Sequence, residues 1–275
     1  MIKVGIIGCG AIGTTLAEAI DSGVVNNVEL VALFDLFDDR IETLVQKLNH
    51  KPKKYYEFEV FLRNGGADII VEAASQQAVI SYSERVITSG KDILIMSTGA
   101  LLDKEFLKRI KEAAKKHGRQ VQVPSGAIGG LDVVKAAKLE GLERVVSTIR
   151  KNPESLKASP DFQGIVKDFD DLKEPKIIFQ GCANDAVKLF PSNTNVSAAL
   201  SLAGIGGQNT VVRVIVDPTI TMNIHEIEIK GKFGKMKIQL ENYKHPSNPK
   251  TSYLAVLSAI ETLRSNISGG MKVGT

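Results

Sequence analysis

The chain has 275 residues, 43% hydrophobic and 24% charged, which suits a globular protein with one large or two modest cores and excludes a disordered or fibrous one. Its net charge of +4 is dispersed among alternating Lys, Arg, Asp and Glu with no basic stripe or tail, and there is no Trp, so a nucleic-acid binder is excluded and an anionic small substrate is the better match. No apolar run is long enough to span a bilayer, and the two cysteines, Cys9 and Cys182, form neither a disulfide framework nor a metal site.

The chain enters a strand over 3–7 with no charged-then-apolar leader pattern, so a cytoplasmic location is expected. Helical spacing follows over 11–20, where Ile12, Leu16, Ala19 and Ile20 share a face. Further strands are predicted over 28–34, 68–71, 92–96 and 120–123, and further helices over 41–48, 78–87 and 103–116, the last with Asp103 as its cap. Strand and helix alternate, and the strands are continuous apolar runs. That pattern predicts a doubly wound α/β parallel sheet covered on both faces.

Between the first strand and first helix lies Gly8-Cys9-Gly10-Ala11-Ile12-Gly13, a G-x-G-x-x-G in the strand-to-helix setting that gives it meaning. Gly8 permits the tight turn, Gly10 admits a pyrophosphate close to the backbone, and Gly13 allows close helix–strand packing, while the N–H groups at Ala11 and Ile12 face the phosphates. Asp35 ends the second strand roughly 20 residues on, where an acid accepts the ribose hydroxyls. Together these features predict a Rossmann-type dinucleotide-binding domain for NAD or NADP; Asp35 favours NAD, and Arg40 leaves room for a 2′-phosphate. Ala74 and Ser75, after the third strand, and the 97–100 loop fall where such a sheet exposes its strand ends.

After residue 123 the pattern changes. The small-residue loop 124–130 leads into a helix over 131–139. Strands are predicted over 144–150, 176–179, 210–216, 223–230 and 235–240, with helices over 183–189 and 196–203. Alternating strands with short turns predict a second, α+β domain with a mainly antiparallel sheet. The expected division is 1–124 for the dinucleotide domain, completed by the C-terminal helix region 247–275, and 125–246 for the substrate domain. The outer face of the antiparallel sheet suggests a homodimer.

Among four histidines His225 stands apart. A period of two puts Asn223, His225, Ile227 and Ile229 on one covered face, with Glu226, Glu228 and Lys230 opposite. The residues alone leave two readings, a satisfied core histidine or a proton carrier. His50 and His117 read as exposed, and His245 as part of a loop around Pro246. No ligand-spaced cluster surrounds His225, so no metal is expected.

The segments Glu72-Ala73-Ala74-Ser75, Ser97-Thr98-Gly99-Ala100, Ser125 to Asp132, Phe190-Pro191-Ser192-Asn193-Thr194-Asn195-Val196, Asn223-Ile224-His225-Glu226-Ile227 and Asn248 to Ser252 resemble the L-aspartate dehydrogenases over nearly the whole chain. The resemblance implies oxidation of L-aspartate with NAD(P)⁺ and water to oxaloacetate and ammonia through iminoaspartate, the latter usable for NAD biosynthesis. It also implies that His225 is catalytic and that Ala127 and Asn195 contact the cofactor. A dicarboxylate needs cationic and amide partners; Asn193 and Lys151 are the candidates, with Arg150 second. Two other readings keep part of this: a homoserine-dehydrogenase-like or dihydrodipicolinate-reductase-like oxidoreductase of similar build, against which the Asn-x-His-Glu-Ile strand argues, or a non-catalytic NAD(H) sensor, for which no partner-binding surface is evident.

Overall fold

The computed structural model describes residues 1–157, 159–162, 169, 172–246 and 248–265. Residue 247 and residues 266–275 of the expected C-terminal segment, its Gly-rich tail included, lie outside the described residues. The chain divides into two units.

The first unit comprises Met1–Ala100, Lys104–Pro124 and the C-terminal helix from Val256 onward. Its elements are β1 (Ile2–Ile7), α1 (Ala11–Asp21), β2 (Val28–Phe34), α2 (Asp38–Lys47), β3 (Lys53–Tyr55), α3 (Phe58–Asn64), β4 (Ile69–Glu72), α4 (Gln76–Thr88), β5 (Asp92–Ile95), α5 (Lys104–His117) and β6 (Val121–Gln122). All pairings are parallel, in the order β3-β2-β1-β4-β5-β6. The order reverses between β1 and β4, which is where open sheets of this kind bind ligands. Val4, Ile6, Val71 and Leu94 are buried with Leu16 and Ile20 of α1 in one core, and the alternate residues Ile7, Ile70, Ile93 and Ile95 are buried too, so both sheet faces are covered as the unbroken apolar strands require.

Two elements of this unit depart from the expectation. The sheet has six strands where five were expected, because β3 is a three-residue polar edge strand, Lys-Lys-Tyr, with no periodicity to betray it. The seven-residue α3 is likewise too short for an amphipathic pattern, yet Phe58 and Phe61 fix it against Phe34 with ring centroids 5.7 Å apart.

The second unit comprises Leu101–Asp103 and Ser125–Ala255. It contains α6 (Leu131–Lys138), β7 (Leu142–Lys151), α7 (Pro153–Lys157), β8 (Lys176–Cys182), α8 (Ala183–Leu189), α9 (Asn195–Ala203), β9 (Val211–Val216), β10 (Asn223–Gly231), β11 (Gly234–Asn242), β12 (Lys244–His245) and β13 (Asn248–Ser252). The sheet order is β11-β10-β7-β9-β8, antiparallel except for β7 with β9. Val145, Ile149, Ile227 and Ile229 on its inner face pack with Val134 of α6 and Leu200 of α9. Each such fully buried branched side chain contributes roughly 1.5–3 kcal/mol. The register is therefore strongly fixed, since a one-residue slip of β10 would turn its apolar set outward.

The last helix, α10 (Tyr253–Ser265), buries Val256, Ala259 and Leu263 in the core of the first unit. Among the described residues no helix is long and apolar enough to cross a membrane.

Candidate active site

In the first unit, a cleft of about 270 Å³ is lined by Gly8, Gly10, Asp35, Ala74 and Ser75, together with Phe37, Arg40 and Tyr82. The glycines occupy it for separable reasons. Gly8 has φ +99°, and a Cβ there would lie 2.8 Å from the Ala73 carbonyl. A Cβ on Gly13 would collide with the Gly8 carbonyl oxygen, so Gly13 serves helix packing. Gly10 differs: a Cβ would meet nothing within 4 Å, leaving open space above the N-terminus of α1, which has no side-chain cap. An uncapped helix start beneath open space is suited to a pyrophosphate. Ala11, Ile12 and Gly13 form the first turn of α1 and do not line the cleft by their side chains; Ile12 packs against the core.

Asp35 is buried. Its Oδ2 accepts the Cys9 N–H at 2.7 Å and its Oδ1 the Phe37 N–H at 3.0 Å, so the acid is oriented by the glycine-rich loop itself. A carboxylate has about four acceptor sites, which leaves capacity for ribose hydroxyls. The Arg40 guanidinium lies 4.3 Å from the Phe37 ring centroid at the cleft edge. Cys9 is free and buried, and burial with the Asp35 charge pushes its thiol up to about 12, so it stays protonated. Ser75 does double duty, since its Oγ accepts the Ala78 N–H at 3.1 Å and caps α4. These residues suit a dinucleotide.

The second unit carries a separate polar cluster on an otherwise apolar sheet face. His225 is 4% exposed and pairs in register with Ile149 of β7 and Leu240 of β11. Lys151 lies two residues beyond Ile149, hence on the same face, and is 3% exposed. Its Nζ donates to Asn193 Oδ1 at 2.6 Å. Asn193 Nδ2 donates in turn to Ser159 Oγ at 2.7 Å and Asp161 Oδ2 at 2.8 Å, a pattern that fixes which end of the amide faces the ammonium. Ser252 Oγ lies 3.5 Å from His225 Nε2 and 3.4 Å from Asn223 Nδ2. His225 Nδ1 and Asn223 Oδ1 are buried without a hydrogen-bond partner among the described residues.

The electrostatics are those of a desolvated site. Burial, and secondly the Lys151 charge, push His225 down to about 3, so the imidazole is neutral across ordinary pH. Burial also brings Lys151 down to about 8, opposed by Asp161 and reinforced by Lys244. Arg150 is committed elsewhere, in ion pairs with Asp217 at 3.0 Å and Glu226 at 3.2 Å, and stands on the opposite face of β7.

Of the residues singled out by sequence, Lys151, Asn193 and His225 are brought together here. Asn195 is the first residue of α9, and Ala127 is buried with Val196, its carbonyl accepting from Asn242 Nδ2 at 3.1 Å. His245 corrects the loop expectation: it belongs to β12, is 3% exposed and packs edge-on to Tyr253 at 5.6 Å, because β12 pairs with β13 across the Pro-containing turn. Sequence reasoning missed Ser159 and Asp161, which come from a stretch with no motif, and Ser252, quoted only within a longer similarity.

Two families match successive stretches of the chain. Residues 8–124 match the family described as homoserine dehydrogenase, NAD binding domain, and residues 132–266 match aspartate dehydrogenase, C-terminal. The L-aspartate dehydrogenase of Methanococcoides burtonii is 43% identical over all of both chains, and that of Nitrosopumilus maritimus 42% over the same extent. The crystal structure of aspartate dehydrogenase from Thermotoga maritima aligns with a TM-score of 0.78 at 30% identity, covering 99% of this chain and 100% of that one. The nucleotide half is shared with homoserine dehydrogenases, and it is the half bearing His225, Lys151 and Asn193 that discriminates between the two. The chain belongs to the aspartate dehydrogenase family.

Proposed function

We propose that the protein catalyses the reversible oxidation of L-aspartate by NAD(P)⁺ to iminoaspartate and NAD(P)H, the imine either leaving to serve NAD biosynthesis or being hydrolysed by water to oxaloacetate and ammonia. The observation that carries this reading is the neutral, buried His225 on the same sheet face as the cationic Lys151, in a chain of this family.

The nicotinamide, when bound, accepts the α-hydrogen of aspartate as hydride. Everything else falls to the chain. Gly8, Gly10, Asp35, Ala74 and Ser75 hold the dinucleotide in the cleft, with the first-turn N–H groups of Ala11, Ile12 and Gly13 toward its phosphates. Ala127 and Asn195 are assigned to the cofactor by the family resemblance. Lys151 binds a carboxylate of aspartate by its charge, and Asn193 takes part by holding that ammonium in place through its Oδ1. His225 is the catalytic base. As a neutral imidazole it accepts a proton from the substrate nitrogen, whose lone pair then drives hydride departure, or from the water that adds to the iminium carbon. Collapse of that adduct expels ammonia. A substrate carboxylate beside Lys151 would offset its charge, the second cause of the low His225 proton affinity after burial. A cytoplasmic homodimer completes the proposal.

Formation of reduced cofactor from L-aspartate, set beside L-glutamate, L-alanine, L-homoserine and L-malate, tests it. Turnover confined to aspartate is expected. Turnover confined to another substrate would overturn the assignment.

A further inference from the structure

We infer that Glu72 is a positioning residue for the cofactor: one buried carboxylate ties the loop after β4, which lines the cleft, to the buried loop after β5 behind it. The inference rests on the reading of that cleft as the dinucleotide site.

Glu72 is the last residue of β4 and is fully buried. It pairs in register with Ile7 of β1 on one side and Ile95 of β5 on the other, at the point where strand order reverses. Its Oε1 accepts the N–H of Ala74 at 2.8 Å, the N–H of Ser75 at 2.8 Å and the Ser97 hydroxyl at 2.9 Å. Its Oε2 accepts the Ser97 N–H at 3.0 Å. All four partners are donors, which matches the acceptor capacity of an ionised acid. A glutamine in the same place would present its own N–H₂ to at least one of them, so the loops need the carboxylate specifically. Burial is the larger influence and holds the Glu72 carboxyl above the usual glutamate range, although the hydrogen bonds from Ser97, Ala74 and Ser75 oppose it.

These bonds hold backbone that the ligand would touch. Ala73, Ala74 and Ser75 line the cleft. The same loop limits the space over the glycine-rich turn, since a Cβ on Gly8 would lie 2.8 Å from both the Ala73 carbonyl and Ala74 Cβ. The start of α4 also meets the loop after β5, where the Gln76 side-chain amide packs on Gly99. A carboxylate buried at the strand reversal, whose hydrogen bonds among the described residues all go to the two loops beside it, is a geometric device for pre-forming the site. Packing alone does not require a charge here.

The test uses Glu72→Gln, Ser97→Ala and the double variant of the full-length enzyme. NADH binding is measured by fluorescence titration of the cofactor-free protein, melting temperature by calorimetry, and KM separately for NAD⁺ and aspartate. Glu72→Gln is expected to raise the NADH Kd and the NAD⁺ KM about tenfold or more, with the aspartate KM changed by less than about twofold. Ser97→Ala raises the NADH Kd several-fold, and the double variant binds little worse than Glu72→Gln alone, because both act through one carboxylate. A lowered melting temperature with an unchanged NADH Kd would reduce Glu72 to a structural acid and overturn the inference. If Glu72→Gln does not fold, Ser97→Ala decides: an unchanged Kd there overturns it as well. A wild-type protein that binds no NADH would instead overturn the cofactor reading itself, and the inference with it.

Discussion

Lys151 Nζ and Asn193 Oδ1 meet at 2.6 Å although 42 positions separate them in the chain, and both residues are buried. An ammonium taken out of water on an apolar sheet face is held there at the expense of stability, by an amide that is itself oriented by Asp161 and Ser159. That expenditure is intelligible if the ammonium meets a substrate carboxylate.

Lys151→Met should separate stability from function. We expect the aspartate KM to rise about tenfold to a hundredfold, in line with loss of a charge-assisted hydrogen bond, while cofactor affinity is retained. The melting temperature should rise or hold, since a buried charge is replaced by a side chain of similar volume. An unchanged aspartate KM, measured at saturating cofactor, would remove Lys151 from the substrate site.

The same lysine sets a pH dependence. With its proton affinity lowered to about 8 in the folded protein, Lys151 keeps its proton below that pH and loses it above. Carboxylate binding should weaken as pH rises through about 8, seen as a falling kcat/KM for aspartate. Stability moves the other way: between about 8 and the ordinary lysine value the unfolded chain binds more protons than the folded one, so this group's contribution rises with pH. Subtracting the melting profile of Lys151→Met from that of wild type isolates the effect. A difference that is flat or falls across that window contradicts the burial argument.

Gly8 and Gly10 should respond differently to alanine. Gly8→Ala places a side chain at φ +99° and against the Ala73 carbonyl, and we expect a loss of about 1–3 kcal/mol in stability. Gly10→Ala meets no protein atom, so the melting temperature should stay put while NADH affinity falls. Equal melting losses in both variants would mean that the open space over α1 is not reserved for a ligand.

At the adenosine end, Asp35→Ser should weaken NAD⁺ more than NADP⁺. Removing the carboxylate deletes the ribose acceptor and also the charge that opposes a 2′-phosphate, leaving Arg40 at the cleft edge to meet it. The ratio of the two kcat/KM values is the readout. A ratio that does not move toward NADP⁺ would place the discrimination elsewhere.

Much of this is legible in the sequence alone. The runs 28–34 and 183–189 have the bounds of β2 and α8, because a continuous apolar strand and a short helix between turn signals leave little choice. The face shared by Asn223, His225, Ile227 and Ile229 follows from the period of a strand, and all four are buried. The losses have a common cause: β3 and α3 are too short to show a period, and His245 was judged by its Pro-rich neighbours when its partner strand lay across the turn. Lys151 could be named as a cation near a strand end, but its burial and its amide partner arise from chain segments far apart. The same holds for Glu72, whose four donors come from two loops that only the parallel sheet brings side by side.

The most direct measurement of the central claim is single-turnover reduction of NAD⁺ by L-aspartate in His225→Ala, with NADH binding titrated on the same preparation. We expect the rate to fall about a hundredfold to ten-thousandfold, the range lost with a positioned acid–base group, while the NADH Kd stays within about twofold. A variant that binds cofactor normally and still reduces NAD⁺ at close to the wild-type rate would contradict the assignment of His225 as the proton carrier.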